Sequence, residues 1–419
     1  MKRVILLALI VMTCSCKRGA FEFEEFAGVN PDSVQKIEGR LEKPATEEII
    51  KIKLPDVDFR EKIPLTMDEY IDSIRVVRLQ TTKESVVGYV NKMEISDDTI
   101  FICDSWKGRS VKTFTMEGEY IRNIGKRGRG PFEYVDVTSM QVTDTQVIIF
   151  DQILHKIMIF RHDGTPVLEK RVPFICQDVL VNNDSTYLFH GVEEQNYHLP
   201  EILNHDFWET DTSIIIRRRG LYRPNDKYMA YISSQSFFKG DGETYYFDNV
   251  SDTIYQVTTS NELKPRYCFE LPYDSHSLHY VKKLRDPKAS EMPQIAFCKF
   301  FRDYLYYIVC ANKQRTCHVL HNLKSGKDIL VNSTDMRHSN LSRILFLKDV
   351  DCTYKDEIVF QIPAESIVYE RERAKAESDW WEDAPEAVKK FDEDLMDIDE
   401  MDNPILVFAT LKKEEEVEK

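Results

Sequence analysis

The sequence lacks the excess of positive charge that general nucleic-acid binding requires. Its 419 residues include 56 Lys and Arg against 71 Asp and Glu, which gives a formal net charge of -15 at pH 7. Proteins that bind nucleic acid through a broad surface concentrate Lys and Arg there. The composition therefore predicts no nucleic-acid partner.

Long hydrophobic runs are also missing. The apolar run Val4–Met12 is far shorter than the ~20 residues that a membrane-spanning helix needs. It follows Lys2 and Arg3, and this order is typical of the core of a secretory signal. No later stretch reaches transmembrane length, so we expect a soluble mature body.

Cysteines are present without a dense disulfide framework. Two of the nine lie in the signal region, and the other seven include no C-x-x-C pair of the zinc or redox type. Most occur in strand-like segments, which predicts buried thiols. Cys310 and Cys317 flank a predicted turn and could face each other across a hairpin, so their disulfide state stays open.

The common catalytic signatures do not occur. The sequence contains no G-x-S-x-G, H-E-x-x-H, Walker or EF-hand motif, and its ten histidines are scattered. We therefore predict neither a cofactor nor a metal site, and the sequence identifies no catalytic residue.

Short β-strands dominate the sequence instead. Apolar runs of four to seven residues recur between Asp, Asn and Gly turns. Asp104 and Asp151 lie 47 residues apart, and Gly118 and Gly164 lie 46 apart. A period in the forties with about four strands per unit is typical of a β-propeller. Weaker units that complete six blades begin near Asp184, Glu243, Tyr304 and Asp356.

The two ends of the chain contain strands suited to closing the ring. Asn403–Leu411 and Ile74–Leu79 are both strongly β-forming, and their pairing would complete one blade. Between about 364 and 401 the pattern becomes helical, with an acidic face opposite an apolar one. The apolar positions recur every three or four residues: Trp381, Ala384, Val388, Phe391, Leu395 and Ile398. We predict an all-β, six-bladed β-propeller over residues 46–419, monomeric, with a C-terminal helical insertion before the closing strand.

Three passages resemble one protein family. They are residues 74–88, residues 403–408, and Ile124–Tyr134, which reads IGKRGRGPFEY. Together they are similar to the six-bladed β-propeller lipoproteins of Bacteroides-type bacteria, whose repeats are related to NHL repeats. The third passage matches the pattern G-x-x-G-x-G-P-G-E-Y, with Phe132 where glycine is usual. The resemblance implies the fold and says little about activity, because one fold serves many functions.

The N-terminal signal resembles that of a bacterial lipoprotein. Ser15 and Cys16 follow the apolar core, so we predict a lipoprotein signal over residues 1–16 that is cut before Cys16 and leaves this residue lipidated as the first of the mature chain. Cys14 is the alternative lipidation site, and an ordinary cleaved signal is the alternative process. Residues 17–45 read as a tether to the outer membrane of the cell envelope. Lys17 and Arg18 do not resemble an acidic surface-export signal, so the periplasmic and cell-surface sides both stay open.

One cluster of charges stands out once the fold is assumed. The loop between the second and third strands of a blade opens on the same side as the link to the next blade. Arg side chains there suit carboxylate, sulfate or phosphate groups, and a Trp can stack on a sugar or aromatic ring. We define the basic rim as eight predicted ligand-binding residues: Trp106, Lys107, Arg109, Lys126, Arg127, Arg129, His155 and Lys156. A second basic run, Arg217–Arg219 with Arg223, is expected on another inter-blade link.

Two classes of function remain at this point. The favoured one is an envelope-anchored binding module for an anionic small molecule, an acidic glycan or an acidic loop of an envelope protein. The alternative is a metal-dependent lyase or hydrolase centred on the tunnel, with His and Asp ligands. Convergence of several His, Asp or Glu side chains at one point on the propeller axis would favour the enzyme.

Overall fold

The chain folds as a six-bladed β-propeller, as predicted. The computed structural model describes residues 35–36, 49–56, 71–183, 185–191, 196–222, 235–240, 242–248, 251–271, 293–312, 315–332, 350–376 and 393–412. In these residues six small sheets are arranged as a ring of blades, each built on four antiparallel strands.

The first three blades follow one another along the chain. Blade 1 contains β4 (Lys92–Ser96), β5 (Thr99–Asp104), β6 (Ser110–Thr115) and β7 (Tyr120–Ile124). Blade 2 contains β10 (Ser139–Val142), β11 (Gln146–Asp151), β12 (Lys156–Arg161) and β13 (Pro166–Arg171). Blade 3 contains β14 (Asp178–Asn183), β15 (Thr186–His190), β16 (His205–Asp211) and β17 (Ile216–Tyr222).

The last three blades complete the ring. Blade 4 contains β18 (Phe237–Gly240), β19 (Glu243–Tyr246), β20 (Thr253–Val257) and β21 (Leu263–Glu270). Blade 5 contains β22 (Gln294–Phe301), β23 (Tyr304–Asn312), β24 (Arg315–Asn322) and β25 (Asp328–Asn332). Blade 6 contains β26 (Val350–Tyr354), β27 (Glu357–Ile362), β28 (Ile405–Leu411) and β3 (Ile71–Arg78).

Both chain ends contribute to blade 6, and this pairing closes the ring. Strand β3 pairs antiparallel with β28, with Val76 opposite Val407, so the predicted closure is confirmed. Arg75 reaches across β28 and forms two hydrogen bonds of 2.8 and 2.9 Å to the carboxylate of Glu357. Because β28 and β3 pair with each other, the facing edges of these two strands are hydrogen-bonded.

Two short strands cover the outer edges of neighbouring blades. β1 (Gln35–Lys36), which lies in the segment predicted as a tether, pairs in parallel with β17 of blade 3. β2 (Ile50–Lys53) pairs in parallel with β21 of blade 4 and buries Ile52 completely. These additions give blades 3 and 4 a fifth strand each.

The core lies between the blades, because successive residues of a strand point to opposite faces of its sheet. Ile100 of β5 packs with Phe408 of blade 6, whereas Phe101 packs with Phe160 of blade 2. Each blade therefore buries both faces against its two neighbours, which a single small sheet could not do alone.

The cysteines follow the same rule, which answers the question left open for Cys310 and Cys317. In the register of β23 and β24, Cys317 lies opposite Val309, one residue away from Cys310. The two thiols consequently point to opposite faces, Cys317 toward blade 4 and Cys310 toward blade 6. No disulfide joins them. The predicted burial is confirmed for Cys103, Cys176, Cys298, Cys317 and Cys352.

A helical insertion precedes the closing strand, as expected. Helix α1 spans Ala364–Ala376, and Leu395 and Ile398 pack with Ile367 against blade 6. The predicted apolar positions Trp381, Ala384, Val388 and Phe391 lie outside the described residues. Among the described residues no helix combines the length and the apolar character needed to cross a membrane.

The two faces of the ring are built from different connections. The upper face carries the turns between second and third strands together with the links from one blade to the next. The lower face carries the turns between first and second strands and between third and fourth strands. This division follows from the alternating strand directions of each blade, and it places the basic rim on the upper face.

Candidate functional site

The glycine-rich link between blades 1 and 2 forms a compact loop on the upper face. β8 (Lys126–Arg127) pairs in parallel with β9 (Glu133–Tyr134). Gly125 adopts φ +68°, which glycine tolerates without strain, and a Cβ there would lie 2.8 Å from the ring of Tyr134. The buried Tyr134 hydroxyl donates to the carbonyl of Ile124 at 2.9 Å and accepts from the N–H of Val111 at 3.2 Å. The loop is therefore fixed at its base to blade 1.

Phe132 occupies the position where the resembled pattern has glycine. Its φ of +54° lies in the left-handed region, so the backbone conformation is retained at a cost in strain. Its N–H donates to the carboxylate of Glu169, and its ring packs edge-on against Phe160 at 5.9 Å. These two contacts hold the substituted residue in place.

Five cations of the basic rim are exposed and lie on the two neighbouring upper loops. Lys107 and Arg109 belong to the turn between β5 and β6, and Lys126, Arg127 and Arg129 belong to the link after β7. Lys126 pairs with Glu133 at 2.9 Å. The hydrogen bond from the Gly130 N–H and the pairing with Lys126 hold the pKa of the Glu133 carboxyl below its usual value.

An exposed aromatic pair lies beside these cations. Trp106 is 78% exposed, and its ring centroid lies 6.4 Å from that of Tyr89, which is 49% exposed. The Asn91 side-chain oxygen accepts from the backbone N–H groups of Ser105 and Trp106 at 2.7 and 3.3 Å. The turn that presents Trp106 is thus anchored, while the indole itself faces solvent.

The other two residues of the basic rim, Lys156 and His155, are less exposed than the five cations. Lys156 is only 4% exposed, and its ammonium donates to the carbonyl of Gly130 at 3.1 Å and to Glu169 at 3.0 Å. It holds the tip of the glycine-rich link against blade 2. His155 is half-buried, and this burial lowers the pKa of its imidazole. A ligand-binding role for the eight rim residues stays a prediction.

The second basic run does not lie on a link, contrary to expectation. Arg217–Arg219 are part of the outer strand β17, and each guanidinium already has a partner. Arg217 pairs with Asp211, Arg218 pairs with Glu209, and Arg219 donates to the carbonyl of Glu201. Ile216 and Gly220 on either side of the three arginines are buried. Arg223 lies outside the described residues.

Exposed apolar side chains concentrate on the upper face. Among the described residues, eleven large hydrophobic side chains are exposed, and nine of them belong to upper turns, links or strand ends. The nine are Val86, Tyr89, Trp106, Ile153, Tyr197, Tyr222, Tyr369, Met396 and Met401. The exposed large apolar side chains of the described residues are therefore distributed unevenly between the two faces.

A cavity lies on the propeller axis, and the sequence analysis did not identify it. We call it the axial cavity; its volume is about 190 Å³, and residues of the innermost region of every blade line it. Near its upper end the side chain of Gln235 in blade 4 donates to the carbonyl of Asn91 in blade 1 at 2.8 Å. These blades face each other across the ring, so this bond spans the axis. The exposed Asp144 and Lys239 line the lower end, where the cavity meets solvent.

Charged side chains line this cavity. Lys92 pairs with Glu94 at 3.1 Å, and the other Glu94 oxygen accepts from the N–H of Val142 at 3.1 Å. Burial lowers the pKa of Lys92, but the charges of Glu94 and Asp178 outweigh it, so the pKa lies above its ordinary value. The ammonium of Lys299 donates to the Asp351 carbonyl, and burial lowers its pKa.

Among the described residues, no group of three or more His, Cys, Asp and Glu side chains is placed to hold a metal ion. The sequence did contain a signal for the cavity. Lys92 and Glu94 sit two residues apart in the first strand of blade 1, and Lys299 sits in the first strand of blade 5. First strands line the axis, so aligning the repeats could have placed these charges there.

Comparison with solved structures supports the fold. A crystal structure from Bacteroides fragilis, whose name describes an exported protein, is 21% identical in sequence, with a TM-score of 0.67. The similarity covers 87% of this chain and 100% of that chain. A member of the DUF4221 family from Bacteroides vulgatus is 10% identical over 82% of this chain and 97% of its own, with a TM-score of 0.46.

Comparison with protein families gives a match over most of the chain. None of the curated proteins matches the sequence. The family described as "Domain of unknown function (DUF4934)" matches residues 49–410, which includes all six blades and the closing strand. The chain therefore belongs to the DUF4934 family.

Proposed function

We propose that this protein is an exported, lipid-anchored binding module whose upper face docks an acidic region of another envelope protein. The observation that carries the proposal is the composition of that face: nine exposed large hydrophobic side chains lie there, together with five exposed cations of the basic rim. Aromatic residues, Met and Arg are the types enriched at protein–protein interfaces.

The charge distribution of blades 1 and 2 supports an acidic partner. Their upper loops expose the five cations beside one carboxylate, Glu84, whereas their lower turns expose six carboxylates beside Arg161. These carboxylates are Asp97, Asp98, Glu117, Glu119, Asp144 and Asp163. A separation of charge between the faces steers an acidic surface toward the upper loops.

The insertion before the closing strand adds a negatively charged region to the upper face. Its exposed residues Glu393, Asp394, Asp397 and Glu400 are acidic and follow blade 6, on the side of the ring that adjoins blade 1. A partner that contacts both regions has to match both signs, which fixes its orientation. A protein surface can supply such a pattern, whereas an acidic glycan carries charge of one sign.

Site-specific crosslinking in the native cells tests this interface. A photo-reactive phenylalanine analogue in place of Trp106 should crosslink to one partner, and the charge reversals Arg109→Glu and Arg129→Glu should abolish that product. The matched reversal Arg161→Glu, exposed on the lower side of blade 2, should leave it unchanged. Crosslinking that survives the two upper reversals would contradict the proposal.

An acidic glycan is the competing ligand, and the Trp106–Tyr89 pair could stack on a sugar ring. Thermal unfolding of the purified body with anionic glycans distinguishes the two. A ligand that binds only the folded state raises the melting temperature by mass action. A rise that disappears with Arg109→Glu and Arg129→Glu, in the absence of a protein crosslink, would replace the protein partner with a glycan.

Export and anchoring form the second part of the proposal. The apolar core followed by Ser15-Cys16 and the name of the Bacteroides fragilis relative, an exported protein, support it. Cys16→Ala should prevent incorporation of a labelled fatty acid, and Cys14→Ala should not. Labelling that is lost only with Cys14→Ala would move the anchor to Cys14.

A further inference from the structure

Lysines outnumber carboxylates by one among the residues that line the axial cavity. Its lining includes Lys92, Lys239 and Lys299 but only Glu94 and Asp144 as carboxylates, which is three cations against two anions. Glu94 is already engaged by Lys92 and by the N–H of Val142. Asp178 and Asp351 act on these lysines from outside the lining, so the attraction for a bound anion comes from an individual lysine rather than from the cavity as a whole.

Lys299 is the cation best placed to receive that anion. Its ammonium contacts the carbonyl oxygen of Asp351 and the ring of Phe297, whose centroid lies 5.1 Å away. In the described part of the chain its ammonium forms no ion pair. An ammonium has three donors, and a neutral carbonyl does not cancel its charge. Burial lowers the pKa of Lys299, and the opposing charges of Asp351 and Glu94 compensate this only in part.

The walls and the size of the cavity define the rest of the ligand. Apolar side chains of Met93, Leu180, Phe237 and Phe300 line it alongside the lysines. Its volume of about 190 Å³ exceeds the ~150 Å³ of an engineered apolar cavity that accommodates benzene. The contact between Gln235 and Asn91 spans the upper end, whereas the exposed Asp144 and Lys239 line the lower end, so we expect entry from the lower face.

We infer that the axial cavity is a binding site for a small organic carboxylate with an apolar body, of about the size of benzoate. The carboxylate pairs with Lys299, and the apolar body packs among the aromatic and aliphatic walls. Charge-assisted hydrogen bonds of this kind are the strong ones in proteins. The site lies on the axis and opens below, so it is separate from the upper docking face.

Methionine methyl resonances provide a local readout in the full-length mature protein. Met93 lines the cavity, whereas Met140 and Met158 are buried between blades 1 and 2 and do not line it. With benzoate as the probe, the Met93 resonance should shift with saturation, and the other two should not. Benzamide, which has the same shape without the charge, should bind at least about tenfold more weakly.

Three variants test whether the shift of the Met93 resonance arises from benzoate bound beside Lys299 in the axial cavity. Lys299→Met should weaken benzoate binding about tenfold or more, because it removes the charged partner. Ser96→Phe, which fills the lower part of the cavity, should abolish binding with Lys299 still present. Lys112→Met replaces a buried lysine that does not line the cavity and should bind benzoate like the parent protein.

Each outcome of these experiments either supports or overturns the proposed site. A shift of Met93 with benzoate that is lost in Lys299→Met and Ser96→Phe but kept in Lys112→Met supports the site. An unmoved Met93 resonance at about 10 mM benzoate, or equal binding of benzoate and benzamide, overturns it, since millimolar affinity corresponds to only about 4 kcal/mol.

Discussion

Asp104 and Asp151 hold the same position in consecutive blades, and each buried carboxylate joins a turn of its own blade to the incoming link. Asp151 accepts hydrogen bonds from the N–H groups of Val135, Asp136, Ile153 and Leu154, at 2.7 to 3.2 Å. Asp104 accepts from Gly88, Tyr89 and Lys107, at 2.6 to 3.2 Å. The repeated aspartate thus anchors the upper loops of both blades to the ring through hydrogen bonds.

We expect Asp151→Asn to destabilise the protein by about 3 kcal/mol, because an amide presents N–H groups to buried N–H donors that then lose their acceptor. The midpoint of urea unfolding measures this loss. Asp394→Asn is the control, since Asp394 is exposed, and its effect should stay within about 0.5 kcal/mol. Equal midpoints for the two variants would contradict the structural role of Asp151.

The repeat of these aspartates is also the reason that the fold could be predicted. A spacing of 47 residues is visible in the sequence because the same backbone groups need the same acceptor in each blade. The position of Gly118 and Gly164 repeats for a related reason, since both adopt a positive φ in the turn between third and fourth strands. Blade 4 keeps only the aspartate, as Asp248, and blade 5 keeps only the glycine of positive φ, as Gly326, so their repeats are weaker.

The side chain of Asn403, just before the closing strand β28, is hydrogen-bonded to the link between blades 6 and 1. Its side-chain oxygen accepts from the N–H of Val87 at 2.7 Å, and its amide donates to the carbonyls of Gln80 and Ser85 at 2.9 and 3.0 Å. Asn403→Ala leaves these buried groups unpaired, so we expect a loss of about 2–4 kcal/mol. Calorimetric unfolding beside Glu400→Ala, an exposed neighbour, measures it; two indistinguishable melting curves would mean that this residue does not fasten the ring.

Gly118 has a left-handed backbone conformation and also lies close to the backbone of Arg78. Its φ is +91°, and a Cβ would lie 2.0 Å from the carbonyl oxygen of Arg78. Gly326 separates the two effects, because its φ is +72° with nothing within 4 Å of a Cβ. We expect Gly326→Ala to cost about 1 kcal/mol from conformation alone. Gly118→Ala should cost at least about 2 kcal/mol more, and equal losses in urea unfolding would show that the contact relaxes.

The errors of the sequence analysis concern side-chain direction within strands. Cys310 and Cys317 are symmetric about a turn in sequence, yet a register offset of one residue sends them to different interfaces. Arg217–Arg219 look like a loop because three charges are adjacent, yet β17 is an outer strand whose side chains meet solvent and acidic neighbours. Register and the position of a strand within its blade are tertiary properties, and local composition does not encode them.

Lys299 should give stability a distinctive dependence on pH. Burial lowers its folded pKa below the ordinary 10.5 of the unfolded chain. Below the folded pKa both states are protonated, and the penalty of the buried charge is fully present. As pH rises from the folded pKa toward 10.5, the folded state releases its proton first, the unfolded state binds more protons, and the penalty declines.

Lys299→Met removes this penalty, so the variant should be at least as stable as the parent near neutral pH. Its advantage should shrink as urea unfolding is repeated up to about pH 10, below the unfolded pKa of lysine. Lys92→Met is the contrast, because the pKa of Lys92 is raised, and its favourable contribution is lost only as pH passes above 10.5. Lys92→Met should therefore be less stable than the parent by a constant amount over the same range. A constant difference for Lys299→Met as well would mean that its ammonium is already compensated in the axial cavity.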